Sequence, residues 1–246
     1  MQFLAKDNEV MVIECNLRAS RSFPFVSKVL KINFIDLATR LIMGEILSPP
    51  DKSSFDLKYV GVKAPQFSFT RLHGSDPITR VEMKSTGEVG CLGDNLNEAF
   101  LTSLIAVGFN PEPKSVLLST GSLEKKAGFI EEAETLQKMG VKIYATEGTA
   151  DFLNENNIKA EILNWPLDRN EPNVLTYLAG NKIDLVINIP KNSERAELDN
   201  DYLIRRKAVD QNISLITNME FARRFVKAVS KLKMSDLKIK SWDEYV

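Results

Sequence analysis

Histidine and cysteine are scarce in this chain of 246 residues. His73 is the only histidine, which excludes a zinc site built from several imidazoles, and its place in the polar stretch TRLHGSDP suits a Ser-His-Asp triad poorly. Cys15 and Cys91 are far apart and lack the paired spacing of a structural metal site. We therefore expect buried thiols in a reducing compartment.

Long apolar runs and a surplus of one charge are also missing. No apolar run approaches the roughly 18–20 residues that a membrane-spanning helix needs. The polar start MQFLAKDNEV lacks the apolar region of a secretory signal. The 32 basic and 33 acidic residues give a net charge of −1, which offers no electrostatic reason to expect nucleic acid. We expect no membrane partner, no nucleic-acid partner and a cytoplasmic location.

The two prolines in GFNPEPKSV divide the chain at residues 110–115, which we interpret as a linker. The composition, 43% hydrophobic and 26% charged, is that of a globular protein. Before the linker the apolar patterns predict strands at 10–15 and 58–72 and helices at 33–43 and 95–107, the second capped by Asn95.

After the linker, short apolar runs alternate with helical patterns. The runs lie at 115–119, 141–146, 159–163, 184–189 and 213–217, and the helical patterns lie at 124–139, 149–156, 202–211 and 218–232. Nearly continuous apolar strands separated by helices are typical of a parallel sheet covered on both faces. The second half is therefore predicted to be an α/β domain with a doubly wound, five-stranded parallel sheet.

Three polar loops follow strands of this predicted sheet. They are LLSTGSLEKK with Lys125, ATEGTADFL with Thr146 and Thr149, and VINIPKNS with Asn188. In such sheets ligands bind at the carboxyl ends of the strands, and the N–H groups at a helix start attract anions. The loops predict a site for a small anionic ligand. A plain strand-to-helix turn with Thr149 as N-cap is the alternative.

The stretch VIECNLRASRSFPFVSK places a carboxylate, a carboxamide and two arginines close together. Glu14 and Asn16 stand two positions apart on a predicted strand, so they point to one face and can hold magnesium through oxygen. Arg18 and Arg21 can reach phosphate oxygens, and Cys15 points to the opposite face, towards a core. A surface cluster of ion pairs is the alternative.

This stretch, with VEMKSTGEV, resembles the end of the second ATP-grasp domain of the carbamoyl phosphate synthetase large subunit. The second half resembles the methylglyoxal-synthase-like regulatory domain at the C-terminus of that subunit. The resemblance divides the chain into an α+β remnant of the ATP-grasp domain at 1–112 and an allosteric domain at 113–246. It makes Gln2, Glu14 and Asn16 ligands of Mg²⁺ or Mn²⁺, and Arg18 and Arg21 phosphate contacts.

The resemblance implies an enzyme that makes carboxyphosphate with one ATP, forms carbamate with ammonia, and phosphorylates carbamate with a second ATP. This chain would belong to the second phosphorylation site. It lacks the glycine-rich phosphate loop and the adenine pocket, so we expect it to be inactive alone, as a fragment or a separate regulatory subunit. The implied partners are the rest of the large subunit and a glutaminase small subunit, in the cytoplasm or, for a urea-cycle-type enzyme, the mitochondrial matrix.

Trp165, in ILNWPLD, stands where nucleotide-controlled members of the family carry a lysine. An indole is a poor phosphate ligand. The segment resembles the ammonia-using branch that N-acetyl-L-glutamate activates, although Lys191 stands where that branch carries asparagine. The effector contacts that this resemblance implies are Lys125, Thr146, Thr149, Trp165, Asn188 and Asn200. Trp165 as a simple packing residue is the alternative.

Two other functions fit the sequence less well. A methylglyoxal synthase is disfavoured because the second half has no histidine and lacks the Gly-rich, Asp-containing continuation of that enzyme after Asn188. A non-enzymatic interaction module would use the helix at 95–107 and the tail KSWDEYV, with Trp242 and Tyr245 packing on a partner.

Overall fold

The structure is a computed structural model of the chain. It describes residues 1–16, 20, 22–78, 85–168, 170–190 and 195–246, without the side chains of 195–197. Arg18, Arg21 and Lys191 therefore lie outside the described residues. In the described part, none of the helices is long and apolar enough to cross a membrane.

The chain begins with an antiparallel hairpin of β1 (Gln2–Lys6) and β2 (Glu9–Glu14). Asp7 and Asn8 form its turn with positive φ angles of 52° and 63°, a conformation that Asp and Asn tolerate. Every strand residue is exposed, and the large apolar side chains from Val10 to Ile13 are each more than half exposed. The hairpin therefore adds nothing to the buried core formed by the described residues.

A second antiparallel pair, β3 (Val60–Gln66) and β4 (Gly87–Gly93), packs against two helices of the first half, α1 (Ser22–Leu30) and α3 (Leu96–Ala106). Helix α2 (Phe34–Ile42) packs on α1. Asn95 caps α3 as predicted, since its side chain accepts a hydrogen bond from the Glu98 N–H at 3.1 Å. The predicted strand at 58–72 is shorter than expected, and α1, β1 and β4 had no predicted counterpart.

The second half forms the predicted parallel sheet. Its strands run in the spatial order β7-β6-β5-β8-β9 and are all parallel. They are β5 (Ser115–Thr120), β6 (Lys142–Thr146), β7 (Glu161–Leu163), β8 (Leu185–Ile189) and β9 (Ser214–Ile216). The helices are α4 (Leu123–Ala127), α5 (Ile130–Lys138), α6 (Glu147–Glu155), α7 (Val174–Ala179), α8 (Arg195–Asp210) and α9 (Met219–Val229).

Alternate side chains of each strand enter two separate cores, one on each face of the sheet. Val116 and Leu118 of β5 join one core, which includes residues of α5, α6 and α9. Leu117, between them, joins the other core with residues of α7 and α8. Two covered faces make the sheet doubly wound, and the predicted fold class of the second half is confirmed.

The single helix predicted at 124–139 is wrong, because the chain forms α4 and α5 with a break at Gly128 and Phe129. The Gly128 carbonyl ends α4 and accepts two hydrogen bonds from the Arg223 guanidinium, at 2.9 and 2.6 Å. The Phe129 ring turns into the core and is 2% exposed. The Arg223 contact and the burial of Phe129 therefore break the single helix that the sequence periodicity favours.

Candidate functional site

The strand order places a crevice at the carboxyl ends of β5 and β8. From β5 the chain proceeds outward through β6 and β7, and it then returns to build β8 and β9 on the other side. Such a reversal is where ligands bind in open parallel sheets. All six predicted effector contacts lie on this edge of the sheet or on elements that border it.

Two threonine hydroxyls connect the β5 and β6 sides of the crevice. The Thr149 hydroxyl accepts a hydrogen bond from the Thr120 N–H at 3.2 Å and lies 3.4 Å from the Thr120 hydroxyl. Thr146, at the end of β6, is 2% exposed. The prediction that Thr149 opens the helix is wrong: α6 begins at Glu147, and Thr146 holds the N-cap position without a side-chain cap bond. Thr149 instead ties the first turn of α6 to β5.

A buried polar network lies under the β8 side. The Asn188 side chain, fully buried, donates to the Asp201 carboxylate at 2.7 Å and accepts from the Arg205 guanidinium at 2.9 Å. The Ser119 hydroxyl lies 3.5 Å from the same Asp201 oxygen. Arg205 is itself 2% exposed and binds both carboxylate oxygens of Asp76, at 2.8 and 2.7 Å. Asn188 is thereby linked to the first half of the chain.

Sequence reasoning missed Asp201, Arg205 and Asp76. Asp201 and Arg205 are four residues apart on α8, so they face the same side of the helix. That spacing was a usable signal, but nothing local indicates that Asp76, 129 residues away, supplies the counter-charge.

Two lysines of α4 lie over the crevice. The Lys125 ammonium donates to the Pro190 carbonyl at 3.1 Å, directly after β8. The Lys126 ammonium donates to the Gly148 carbonyl at 2.5 Å, in the first turn of α6. The predicted Lys125 is therefore at the crevice, and Lys126 joins it from the β6 side.

Trp165 and Asn200 belong to the border of the crevice on the β7 side. The Trp165 ring is half-buried against the core that contains Leu163. Its carbonyl accepts a hydrogen bond from the Asn173 amide at 2.8 Å. Asn200 accepts a hydrogen bond from the Leu167 N–H at 3.0 Å, two residues after Trp165. Asn200 thus contacts the Trp165 loop, while its neighbour Asp201 contacts Asn188.

The predicted metal ligands meet at one end of the β1–β2 hairpin. Gln2 is the cross-strand partner of Glu14, and the Asn16 amide nitrogen donates to the Glu14 carboxylate at 2.9 Å. One carboxylate and two amides offer oxygen atoms, which suit Mg²⁺, although magnesium usually needs substrate phosphates to complete so sparse a site. Among the described residues, no group of three or more His, Cys, Asp or Glu side chains could hold a metal by itself. These residues therefore fit a magnesium–nucleotide complex better than a free ion.

Cys15 corrects the expectation of two buried thiols. It is exposed and lies just after β2, in a hairpin that packs on no core. Cys91 is partly buried, and loss of solvent raises the pKa of its thiol, an effect that the Lys28 charge partly offsets.

A cavity lies away from the crevice, between the two halves. Its volume is about 930 Å³, and its walls include Phe69 and Pro77 of the first half and Leu215 and Phe221 of the second. Its lining is mainly apolar and contains none of the predicted site residues.

Residues 128–217 match the family model described as MGS-like domain. This part of the chain is therefore similar to MGS-like domains. Carbamoyl-phosphate synthase [ammonia], mitochondrial, of Homo sapiens is 43% identical over 247 aligned positions, which cover 97% of this chain and 16% of that protein. Multifunctional protein URA2 of Saccharomyces cerevisiae is 46% identical, over 94% of this chain and 11% of the relative. Multifunctional protein pyr1-3 of Dictyostelium discoideum is 47% identical, over 95% of this chain and 11% of that protein.

The resemblance to the C-terminal part of carbamoyl phosphate synthetase is thereby confirmed. The chain spans only 11–16% of the length of these three relatives, which are much larger proteins. A solved methylglyoxal synthase from Elizabethkingia anophelis NUHP1 overlays 56% of this chain and 91% of its own, with 15% identity and a TM-score of 0.36. That likeness is too distant to support an argument about function.

Proposed function

We propose that this chain is the C-terminal part of a carbamoyl phosphate synthetase, which contributes to ATP-dependent phosphorylation of carbamate and receives an allosteric effector. The observation that carries the proposal is the similarity to the human carbamoyl-phosphate synthase [ammonia] over 97% of the chain, which includes both the N-terminal motif and the MGS-like region. ATP and carbamate would be substrates of the complete enzyme, whose other parts would supply the nucleotide pocket.

In the complete enzyme Gln2, Glu14 and Asn16 would hold Mg²⁺, and Mn²⁺ could replace it. The bound ion would neutralise charge on phosphate oxygens. The described residues contribute by orientation: the Asn16–Glu14 hydrogen bond fixes the carboxylate at the end of the hairpin, where Gln2 is its cross-strand partner. Arg18 and Arg21 are proposed, from the resemblance, to contact phosphate.

We favour N-acetyl-L-glutamate as the effector of the crevice. Its carboxylates would face the start of α6 and the two lysines of α4, both favourable to anions. Its acetamido N–H would face the buried Asp201 carboxylate, which accepts N–H donors but would repel a nucleotide phosphate. Trp165 would offer the acetyl group an apolar surface.

The buried network supports the regulatory part of the proposal. Asn188 is buried beneath the crevice, at the carboxyl end of β8. Arg205 binds Asn188 and also binds Asp76 of the first half. A ligand that displaced Asn188 would have to rearrange hydrogen bonds made in a medium without competing water, where they are strong. A change at Asn188 would therefore reach Asp76 through the Arg205 side chain.

Calorimetric titration with N-acetyl-L-glutamate, and with UMP and IMP in parallel, tests the effector. We expect saturable binding of N-acetyl-L-glutamate only. Trp165→Ala should lower the affinity about tenfold or more, since loss of a buried aromatic contact at a binding site costs upwards of about 1 kcal/mol. Phe55→Ala, which removes a ring that is 96% exposed in the first half, is the control and should keep the affinity.

Binding of a nucleotide in place of the amino acid would overturn the effector assignment while leaving the synthetase proposal intact. Unchanged affinity in a folded Trp165→Ala protein would remove Trp165 from the site and leave it as a packing residue.

A regulatory or interaction subunit without catalysis is the second candidate, and the exposed apolar hairpin β1–β2 is the observation that favours it. Exposed apolar surface of this kind usually marks a contact with another protein or domain. Capture of a synthetase that lacks this region would support the association. If the captured complex did not phosphorylate carbamate, the result would favour the subunit without catalysis. Restored phosphorylation would favour the first candidate.

A further inference from the structure

The C-terminal tail, residues 233–246, leaves the second half after α9 and returns to the first half. It contains two short 3-10 turns, Met234–Asp236 and Trp242–Glu244. The Lys240 ammonium lies 2.6 Å from both carboxylate oxygens of Asp94, which precedes α3. The sequence alternative has the tail KSWDEYV packing on a partner. In the structure this tail packs on the first half of its own chain.

Trp242 supplies a hydrogen bond that helix α1 lacks. The last carbonyls of any helix have no partner within the helix. In α1 the Lys28 carbonyl accepts from the Trp242 indole N–H at 2.8 Å, and the Val29 carbonyl accepts from the Tyr59 hydroxyl at 2.5 Å. The Lys31 ammonium, just past the helix, donates to the Tyr245 carbonyl at 2.5 Å and lies 5.5 Å from the centre of the Trp242 ring. The tail thus caps the end of α1.

Tyr245 completes a small core in the first half. Its ring is 7% exposed and lies 5.7 Å from the ring of Tyr59, and its hydroxyl donates to the Leu92 carbonyl at 3.2 Å. Burial raises the pKa of both tyrosine hydroxyls, so they remain donors at neutral pH. This core holds the strand β4, on which α1 also rests.

Helix α1 is seated closely on the β3–β4 pair. A Cβ atom on Gly61 would lie 2.5 Å from a Val29 methyl group, and one on Gly90 would lie 2.7 Å from the Phe25 ring. The Lys28 ammonium also donates to the Gly90 carbonyl at 2.6 Å. Helix α1 is thereby held in one place on the sheet, and its first residue, Ser22, directly follows Arg21 in the sequence.

We propose that the C-terminal tail positions α1 for phosphoryl transfer, with Trp242 and Tyr245 as positioning residues. The tail belongs to the regulatory half, and α1 follows the two arginines assigned to the phosphate. The proposal rests on the proposed function, because it takes those arginines to act on phosphate. The regulatory half then contacts the catalytic part at a second place, distant from the Arg205–Asp76 pair.

Hydrogen exchange on this chain tests the structural step. Trp242→Phe keeps a ring but removes the indole N–H, and amide exchange in the last turn of α1 should become roughly 2- to 10-fold faster, the range for one lost hydrogen bond. Tyr245→Phe should instead make amide exchange in β4 faster near Leu92. Ile239→Ala, which alters a fully exposed side chain of the same tail, is the control and should change neither. Unchanged exchange in α1 for Trp242→Phe would overturn the capping role.

The functional step is tested in a synthetase that contains this sequence. The readout is ATP formation from ADP and carbamoyl phosphate, the reverse of carbamate phosphorylation, compared with bicarbonate-dependent ATP hydrolysis. Trp242→Phe should lower kcat of the first reaction several-fold and leave the second unchanged, whereas a general loss of folding would lower both. Equal rates in variant and wild type would overturn the positioning proposal. If the wild-type enzyme forms no ATP from ADP and carbamoyl phosphate, that result would instead overturn the proposed function.

Discussion

At the scale of single residues, Arg205 is the most consequential side chain described. It is almost fully buried and forms paired hydrogen bonds with Asp76, whose side chain is 34% exposed, in addition to its bond with Asn188. Lysine cannot reproduce this paired geometry, because its ammonium lacks the planar fork of the guanidinium. A positive charge alone is therefore insufficient to replace the Arg205 contacts with Asp76.

We predict that Arg205→Lys lowers the free energy of unfolding by about 2 kcal/mol, the range for one or two charge-assisted hydrogen bonds. Urea denaturation followed by circular dichroism measures this change. Arg40→Lys, at an exposed ion pair with Glu45, is the control and should change stability by less than about 0.5 kcal/mol. Equal stabilities of the two variants would contradict the structural importance of Arg205.

The neighbours Asn200 and Asp201 mark the limit of sequence-based prediction at this scale. The resemblance selected Asn200, yet it is Asp201 that contacts Asn188. Adjacent residues of a helix point about 100° apart, so a shift of one position in a pattern changes which side chain enters a crevice. Asn200 as an effector contact stays a prediction, and which of the two neighbours faces Asn188 depends on how α8 packs.

At the scale of elements, two glycines decide how closely α1 approaches its sheet. Gly61 is the tighter case, since any Cβ atom there would overlap Val29. Gly87, on the partner strand β4, offers a contrast: its nearest neighbour would be the Gln66 Cβ atom at 3.7 Å, an ordinary contact.

Gly61→Ala is predicted to destabilise the chain by about 1–3 kcal/mol, the usual cost of overpacking, because α1 must move outward. Thermal unfolding should show a lower Tm for Gly61→Ala than for Gly87→Ala. A Gly61→Ala protein as stable as the Gly87→Ala protein would mean that α1 is not held against β3 in solution.

The elements of the second half were easier to predict than those of the first. Runs such as SVLLS and LVINI are mainly apolar because both faces of the sheet are covered. That pattern can be recognised without knowledge of the fold. Helix α1 gave no such signal: its length is only nine residues, and none of them is classed as buried. Its stability comes from contacts with Gly61, Gly90 and the distant tail, which no local pattern contains.

At the scale of the whole molecule, ion pairs between distant segments hold the two halves together. The Lys240 ammonium, through a hydrogen bond, holds the pKa of Asp94 below its ordinary value of 3.8, and Asp94 in turn raises the pKa of Lys240 above 10.5. Both shifts favour the charged forms in the folded state. The pair therefore contributes stability from about pH 4 to about pH 10 and loses that contribution at either extreme.

We predict that Asp94→Asn removes this contribution and flattens the dependence of stability on pH. The wild type should lose stability relative to Asp94→Asn as the pH falls from 3.8, the unfolded value of Asp94, through its lower folded pKa, where the carboxylate becomes protonated. Urea midpoints measured from pH 3 to pH 7 check this. Asp51→Asn, in an exposed loop, is the control. Parallel pH profiles of wild type and Asp94→Asn would contradict the role of the pair.

The sequence predicts a linker at 110–115, and residues 110–114 form no helix or strand in the structure, but the attachment of this segment to the second half was not predictable. The Asn110 N–H donates to the Ser214 hydroxyl at 3.0 Å, and Glu112 accepts from the Met234 N–H at 3.0 Å. Polar residues around two prolines indicate an absence of regular structure, and they do not say what the segment contacts. Contacts between residues more than 100 positions apart require the complete fold.

The cap on α1 also has a consequence for the order of folding. Trp242 and Lys28 are separated by 214 positions, so their hydrogen bond closes a loop that includes most of the chain. Closing a loop of that length costs conformational entropy that a single hydrogen bond cannot offset. The intervening sheet and helices must therefore order first and bring the two ends together. Helix α1 acquires its final partner late, although its residues are among the first in the sequence.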